Sequence, residues 1–284
     1  MLCLLKKHNF LNIKQEDGNL NDIHFAIIGG TGVFRKNDCI DELFVETKYG
    51  KVMIEVIQME NTKVALLKRH GVTHTVPPHR INYRANLAAL KTIGVKKIVA
   101  TAAVGSINKC FAPGDLVLLT DYIDFTWGRE NTFFDEYGEK VVHVDMTNPY
   151  CANLNADIYQ ASKIAGIPVN NNGAVYVCTQ GPRFETSSEI SMFCQLGGDL
   201  VGMTSVPEVV LAREAEICYA TIAVVTNYAT GISETQLTHH EVIEKMNKSA
   251  QKIEDLLKKT IEITSINVQC SCQIAVSSQT SLGG

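Results

Sequence analysis

Thr179-Gln180-Gly181-Pro182-Arg183-Phe184-Glu185-Thr186 sets an aromatic face and a carboxylate side by side behind a Gly-Pro turn. Such a pair suits a flat, hydrogen-bonding ring: Phe184 can stack on a heterocycle while Glu185 accepts protons from its edge. The same stretch also reads as a turn, with Phe184 a core anchor and Glu185-Thr186 opening a helix. Other groups capable of chemistry recur where apolar runs stop. After residues 23–28, Gly29-Gly30-Thr31-Gly32 can present N–H groups and the Thr31 hydroxyl to an anion, although neither the triphosphatase phosphate loop nor the dinucleotide glycine fingerprint is present. After residues 63–67 comes Lys68-Arg69-His70-Gly71, where a guanidinium fork and an imidazole suit phosphate; a surface ion pair is the alternative. His70, His74 and His79 invite a zinc site, but Gly71 and Pro77-Pro78 prevent one helix from presenting them together.

Strand-like runs that must hold these groups cover residues 23–28, 52–59, 63–67, 98–101, 116–120, 173–177, 199–202 and 219–225. Helical patterns cover 83–90, 152–165, 187–196, a stretch opening at Met203-Thr204-Ser205-Val206-Pro207-Glu208, and 238–263. Thr204 and Ser205 read there as caps. The alternation argues a single-domain α/β fold with a largely parallel, buried sheet. Residues 1–22 read as an amino-terminal extension, 23–265 as the domain and 266–284 as a flexible tail. Residues 121–142, bearing Trp127, Phe133, Phe134 and Tyr137, read as an insertion serving as a lid or subunit contact. Small residues at Thr101-Ala102-Ala103-Val104-Gly105-Ser106 let a ligand approach the main chain.

With 45% hydrophobic and 20% charged residues, the composition is that of a globular protein with a sizeable core. A net charge of -4 disfavours broad binding to nucleic acid. The nine cysteines lie mostly in apolar segments, so reduced thiols and a cytoplasmic location are expected. Cys270-Ser271-Cys272 reads as two thiols in a mobile tail or, alternatively, as a strained redox-active bridge. The first apolar run is too short for a signal peptide, and no stretch approaches a membrane span of about 20 apolar residues.

In series, the motifs at residues 29–32, 69–71, 101–106, 181–186, 201–208 and 226–228 resemble the trimeric purine nucleoside phosphorylase and methylthioadenosine phosphorylase family, over residues 23–263. The resemblance implies a nucleoside phosphorylase fold with a mixed, mostly parallel central sheet flanked by helices, and phosphorolysis of a purine nucleoside by a homotrimer, or a dimer of trimers, with phosphate as co-substrate and no metal or organic cofactor. It implies phosphate contacts from Thr31, Arg69, His70, the main chain at Ala102 and Ala103, and Thr204. Met203 matches the residue beneath the ribose, Phe184 the wall against the base, and His143 a histidine lent by the neighbouring subunit. Members acting on 6-aminopurines carry Asp at the positions of Asn227 and near Ala229, so this chain departs from them. An Asn amide can donate to O6 and accept from N7–H, while Glu185 accepts the N1–H that only a 6-oxopurine carries. Inosine, guanosine or 5′-methylthioinosine is therefore the expected substrate, with methylthioadenosine and a nucleoside-binding protein on the same fold as alternatives. At the 5′ end the cues conflict. His239 matches the histidine of nucleoside phosphorylases, whereas Arg69-His70-Gly71 and residues 203–208 look closer to the methylthio branch. Asn227, Glu185 and His70 are the expected catalytic residues.

Overall fold

The computed structural model of the chain describes residues 23–29, 39–59, 61–136, 141–232, 239–267 and 269–277, with the backbone alone for 239–241. The strands in chain order are β1 (Phe25–Gly29), β2 (Cys39–Thr47), β3 (Gly50–Met59), β4 (Thr62–Lys68), β5 (Lys97–Ser106), β6 (Leu116–Leu118), β7 (Asp121–Phe125), β8 (Val175–Thr179), β9 (Leu200–Gly202) and β10 (Cys218–Tyr228). The helices are α1 (Tyr83–Thr92), α2 (Ala152–Ala165), α3 (Ser187–Gln195), α4 (Ser205–Glu214) and α5 (His239–Ile263).

All ten strands join one mixed sheet in the order β2-β3-β4-β1-β5-β9-β8-β7, and β10 pairs with both β5 and β6 off that path. Parallel neighbours at the centre are β4-β1-β5 and β5-β10, with β7-β8-β9 beyond. Antiparallel pairing is confined to β2-β3-β4, β5-β9 and β6-β10. Every residue of β1 is buried, as a strand covered on both faces must be. Successive side chains leave to opposite faces: Ile28, Leu67 and Ala100 join one apolar cluster, and Ile27, Leu66 and Val99 the other. Helices α1 and α4 cover the first through Leu87 and Val209, while α2 and α5 cover the second through Leu154 and Leu256.

The helix ends follow from local chemistry. Asn82 caps α1 through Ala85 N–H, and Thr186 forms a reciprocal capping box with Glu189 at the start of α3. Gly166, at φ 67°, ends α2 in the left-handed conformation that an L side chain resists.

Four features differ from the sequence expectation. β2, with Asp41, Glu42 and Glu46 in a mostly exposed edge strand, lacks the apolar run that identifies a buried one. β5 and β10 continue through Ser106 and Tyr228 rather than stopping at residues 101 and 225, because these two strands pair with each other along that length. Residues 121–125, read as part of an insertion, form β7 at the sheet edge beside β8. Residues 269–277 are not wholly a loose tail: a 3-10 turn at Ser271–Ile274 buries Cys272 in the second cluster, where thiols pack as small hydrophobes.

Candidate active site

A cavity of about 570 Å³ lies where β4, β5, β9 and β10 end and where the loop after β8 folds over them. Its lining brings together Arg69, His70, Ala102, Ala103, Phe184, Glu185, Met203, Thr204, Asn227 and Ala229, which stand far apart in the chain. Thr31 and the His239 side chain lie outside the described residues. His143 is exposed between β7 and α2 and does not line this cavity. The three histidines do not converge. The His70 and His74 rings lie 4.5 Å apart, tilted by 38°, on the cavity wall, while His79 faces a second depression with Tyr49 and Arg84.

Glu185 is buried to 8% exposure at the residue before the α3 cap, and Thr179 Oγ1 donates to its Oε1 at 2.6 Å. The 179–186 stretch combines parts of both readings: Thr186 opens a helix and Phe184 and Glu185 line the cavity, but Phe184 is exposed and is no core anchor. Burial raises the Glu185 carboxyl above the ordinary carboxylate range, against the opposing pull of the Thr179 hydroxyl. Glu185 lines the cavity, and its carboxylate, with lone pairs on two oxygens, keeps acceptor capacity beyond the Thr179 bond.

Asn227 is aimed by a bulge. The β10–β5 register shifts between Val225 and Asn227, which sets Asn227 opposite Gly105. A Cβ on Gly105 would stand 3.2 Å from Asn227 Nδ2 and 3.3 Å from Val201, so the bare backbone makes room for the amide. Thr226 Oγ1 donates to Asn227 Oδ1 at 2.7 Å, and Asn227 Nδ2 donates to Tyr228 O at 2.9 Å. An amide has two N–H groups and two lone pairs, so one donor and one acceptor remain for a ligand.

Arg69 is no surface group. Its Nε and Nη2 donate to the two carboxylate oxygens of Glu208 at 3.1 and 2.7 Å, its Nη1 to Thr101 O and its Nη2 to Ile28 O. Tyr219 also donates to Glu208 at 2.7 Å. Burial opposes the guanidinium charge, but the Glu208 charge and hydrogen bonds outweigh it and hold the pKa above the ordinary value. Of five N–H groups, four are engaged, and one on Nη1 remains at the cavity. His70 Nδ1 lies 2.9 Å from Val76 O, which fixes the ring and places the proton on that nitrogen in the neutral tautomer. Neither hydroxyl of the Thr204-Ser205 pair caps α4: Thr204 makes no capping bond and Ser205 pairs with Tyr150 at 2.7 Å.

The sequence profile of the phosphorylase superfamily matches residues 24–262. The chain belongs to the phosphorylase superfamily. It is 48% identical over 256 residues to a probable 6-oxopurine nucleoside phosphorylase of Dictyoglomus turgidum, covering 89% of this chain and 97% of that protein. It is 45% identical over 261 residues to a probable S-methyl-5′-thioinosine phosphorylase of Methanothermobacter thermautotrophicus, covering 88% of each. The methylthioadenosine phosphorylase of Schistosoma mansoni, solved with adenine, superposes with a TM-score of 0.83 at 32% identity over 90% of this chain and 98% of that one.

Several residues at this site escaped the sequence reading. Val242, Ile243 and Met246 of α5 give the cavity an apolar wall, and only the helical spacing of that segment hinted at an inward face. Glu208, the partner of Arg69, carried no signal beyond its charge. Thr101 Oγ1 is buried at the cavity with no hydrogen-bond partner among the described residues.

Arg129 is the most consequential omission. From the segment after β7 it donates through Nη1 to Met203 O, Val206 O and Tyr83 OH, and through Nη2 to Thr179 O and Gln180 O. One guanidinium thus pins the loop that bears Glu185 to the loop that bears Met203 and Thr204. Arg129→Met leaves those carbonyls without their donor and is expected to cost about 3 kcal/mol of stability in a urea unfolding titration. Arg129→Lys is expected to recover less than half of it, because an ammonium cannot span both loops with a planar fork.

Proposed function

We propose that the protein catalyses phosphate-dependent cleavage of 6-oxopurine nucleosides, releasing the free base and ribose 1-phosphate or its 5-methylthio form, in purine salvage. The observation that carries this reading is the hydrogen-bonding capacity left at Glu185 and Asn227. Glu185 offers an acceptor for N1–H, and Asn227 offers one N–H for O6 and one carbonyl lone pair for N7–H. A 6-aminopurine turns an unprotonated N1 toward the carboxylate, an acceptor facing an acceptor. The names of the bacterial and archaeal relatives, 6-oxopurine and methylthioinosine phosphorylases, agree with this choice.

In the reaction an oxygen of hydrogen phosphate bonds to C1′ as the C1′–N9 bond breaks; the bonding pair leaves with the purine, and the proton that the phosphate gives up reaches N7 directly or through solvent. Thr31, His70, Thr204, the remaining Arg69 N–H and the main chain at Ala102 and Ala103 hold phosphate. Phe184 packs on the base and Met203 beneath the ribose. Asn227 meets the charge growing on the purine, while phosphate opposite the cationic sugar supplies the complementary stabilisation. The apolar wall of Val242, Ile243 and Met246 suits a 5′-methylthio group, which favours 5′-methylthioinosine over inosine and guanosine. Because His143 is exposed and outside its own cavity, its approach to a sugar requires a neighbouring subunit, so we read a homotrimer working in the cytoplasm on phosphate and nucleoside alone.

Purified protein incubated with inosine or 5′-methylthioinosine should release hypoxanthine only when phosphate is present, with one sugar 1-phosphate formed per base. Release without phosphate would mark a hydrolase, and binding without release a nucleoside-binding protein; either outcome refutes the proposal.

The raised Glu185 carboxyl gives a pH signature. Its folded value lies above the ordinary 4.5, so the ionised acceptor is lost as pH falls through that raised value. The acid limb of kcat/KM for a 6-oxopurine should therefore lie above pH 4.5, and Glu185→Gln should abolish it while lowering the plateau. Stability moves the other way. The fold binds this proton more readily than the unfolded chain, so the Glu185 contribution to stability grows as pH falls through the same window.

A further inference from the structure

At the opposite end of β10 from Asn227, four cysteines meet. Cys151, Cys218, Cys270 and Cys272 place their sulfur atoms all within 4.8 Å of one another. Cys218 opens β10 and Asn227 stands nine residues on, so the two ends are about 30 Å apart. The four come from three separate elements. Cys151 precedes α2 and its backbone N–H donates to Tyr219 O at 2.8 Å, which ties the first two cysteines together. The 3-10 turn then delivers Cys270 and Cys272 from the end of the described chain. Cys270 Sγ lies 3.5 Å from Cys151 Sγ and 3.4 Å from Cys272 Sγ. Among the described residues, no other group of three or more His, Cys, Asp or Glu side chains comes together in this way.

We propose that this quartet is a structural tetrathiolate site for a zinc ion. Four sulfurs at about 2.3 Å from a central zinc stand roughly 3.8 Å apart along the tetrahedron's edges, close to the separations seen here, and four protein ligands with no open position are the mark of a structural site. Binding displaces one proton from each thiol to solvent, leaving a complex of charge −2. The surroundings answer that charge. Arg213 Nη1 donates to Cys272 Sγ at 3.5 Å, and the Leu154 N–H at the amino end of α2 donates to Cys151 Sγ at 3.5 Å. Arg213 is itself held by the carbonyls of Asn148 and Pro149. Such N–H donors to ligand sulfur fix thiolate orientation around a metal. The ion would fasten residues 269–277 to the sheet, far from the cavity.

The test uses the full chain, expressed with zinc in the medium and purified under reductant without chelator. Elemental analysis should give about one zinc per chain, and replacement by cobalt(II) should give the sulfur-to-metal charge-transfer bands and visible bands of a tetrahedral thiolate site. Cys270→Ser/Cys272→Ser should lose the zinc, melt at a lower temperature and keep phosphate-dependent turnover at 25 °C within about twofold. Should that variant not fold, the cobalt spectrum of the unaltered chain still decides. Substoichiometric zinc with all four thiols open to a thiol reagent would overturn the proposal. So would a mass lower by two hydrogens per pair in protein kept reduced, which would show the quartet bridged as disulfides.

Discussion

Asn227→Ala is expected to slow turnover of a 6-oxopurine nucleoside by roughly 10²- to 10³-fold in kcat, the usual consequence of removing one donor or acceptor aimed at charge that develops in the transition state. KM should change by less than about threefold, because Phe184, Met203 and Glu185 still hold the ground state. Orientation sets the size of this effect. Thr226 and Tyr228 fix the amide so that its unused N–H and lone pair have no freedom to reorganise as charge grows. The bulge between Val225 and Asn227 and the bare backbone at Gly105 make that placement possible. A single-turnover measurement separates binding from chemistry, and a rise in KM with unchanged kcat would assign Asn227 to binding alone.

Glu208→Gln should destabilise the protein more than any change on its surface. Its side chain is 0% exposed and holds Arg69, itself 3% exposed, by two hydrogen bonds. Removing that charge strands a buried guanidinium, at a cost of about 3–5 kcal/mol. In a domain of this size the thermal midpoint should fall by roughly 6–20 °C. Arg69→Met/Glu208→Leu should be less destabilised than Glu208→Gln, since it removes both charges together. Activity should not return in the double variant, because the remaining Arg69 N–H is then also missing from the phosphate site. Phosphate KM, measured at a temperature where each variant is folded, checks this last point.

Much of this site was legible because its residues sit where apolar runs end, and a buried sheet places ligands there. Gly-Pro before Phe184-Glu185, the Arg69-His70 pair and Asn227 could each be found from that rule, and their serial order pointed to the family. What escaped was partnership across the fold. Arg129 lies in a segment that reads as an aromatic insertion, and nothing local shows that its fork reaches carbonyls some 50 to 77 residues away. Glu208 shows nothing in the sequence beyond its charge, yet it is the counter-ion 139 residues from Arg69. The cysteines fared the same way. Cys151 and Cys218 pass for small apolar residues in their own segments and Cys270 and Cys272 for thiols of a tail, and only the packing of α2, β10 and the last turn brings the four together. Thr204 and Ser205 misled in the opposite direction, since their spacing suits caps while Ser205 bonds Tyr150 and Thr204 faces the cavity.

The central claim, that Glu185 and Asn227 select a 6-oxopurine, is tested most directly by comparing kcat/KM for 5′-methylthioinosine and 5′-methylthioadenosine at saturating phosphate. The two share the sugar and its substituent, so they differ only at the purine edge these residues face. Methylthioinosine should be preferred by roughly 10- to 100-fold, the equivalent of about 1–3 kcal/mol for one unpaired acceptor at the base. A clear preference for methylthioadenosine would contradict the account.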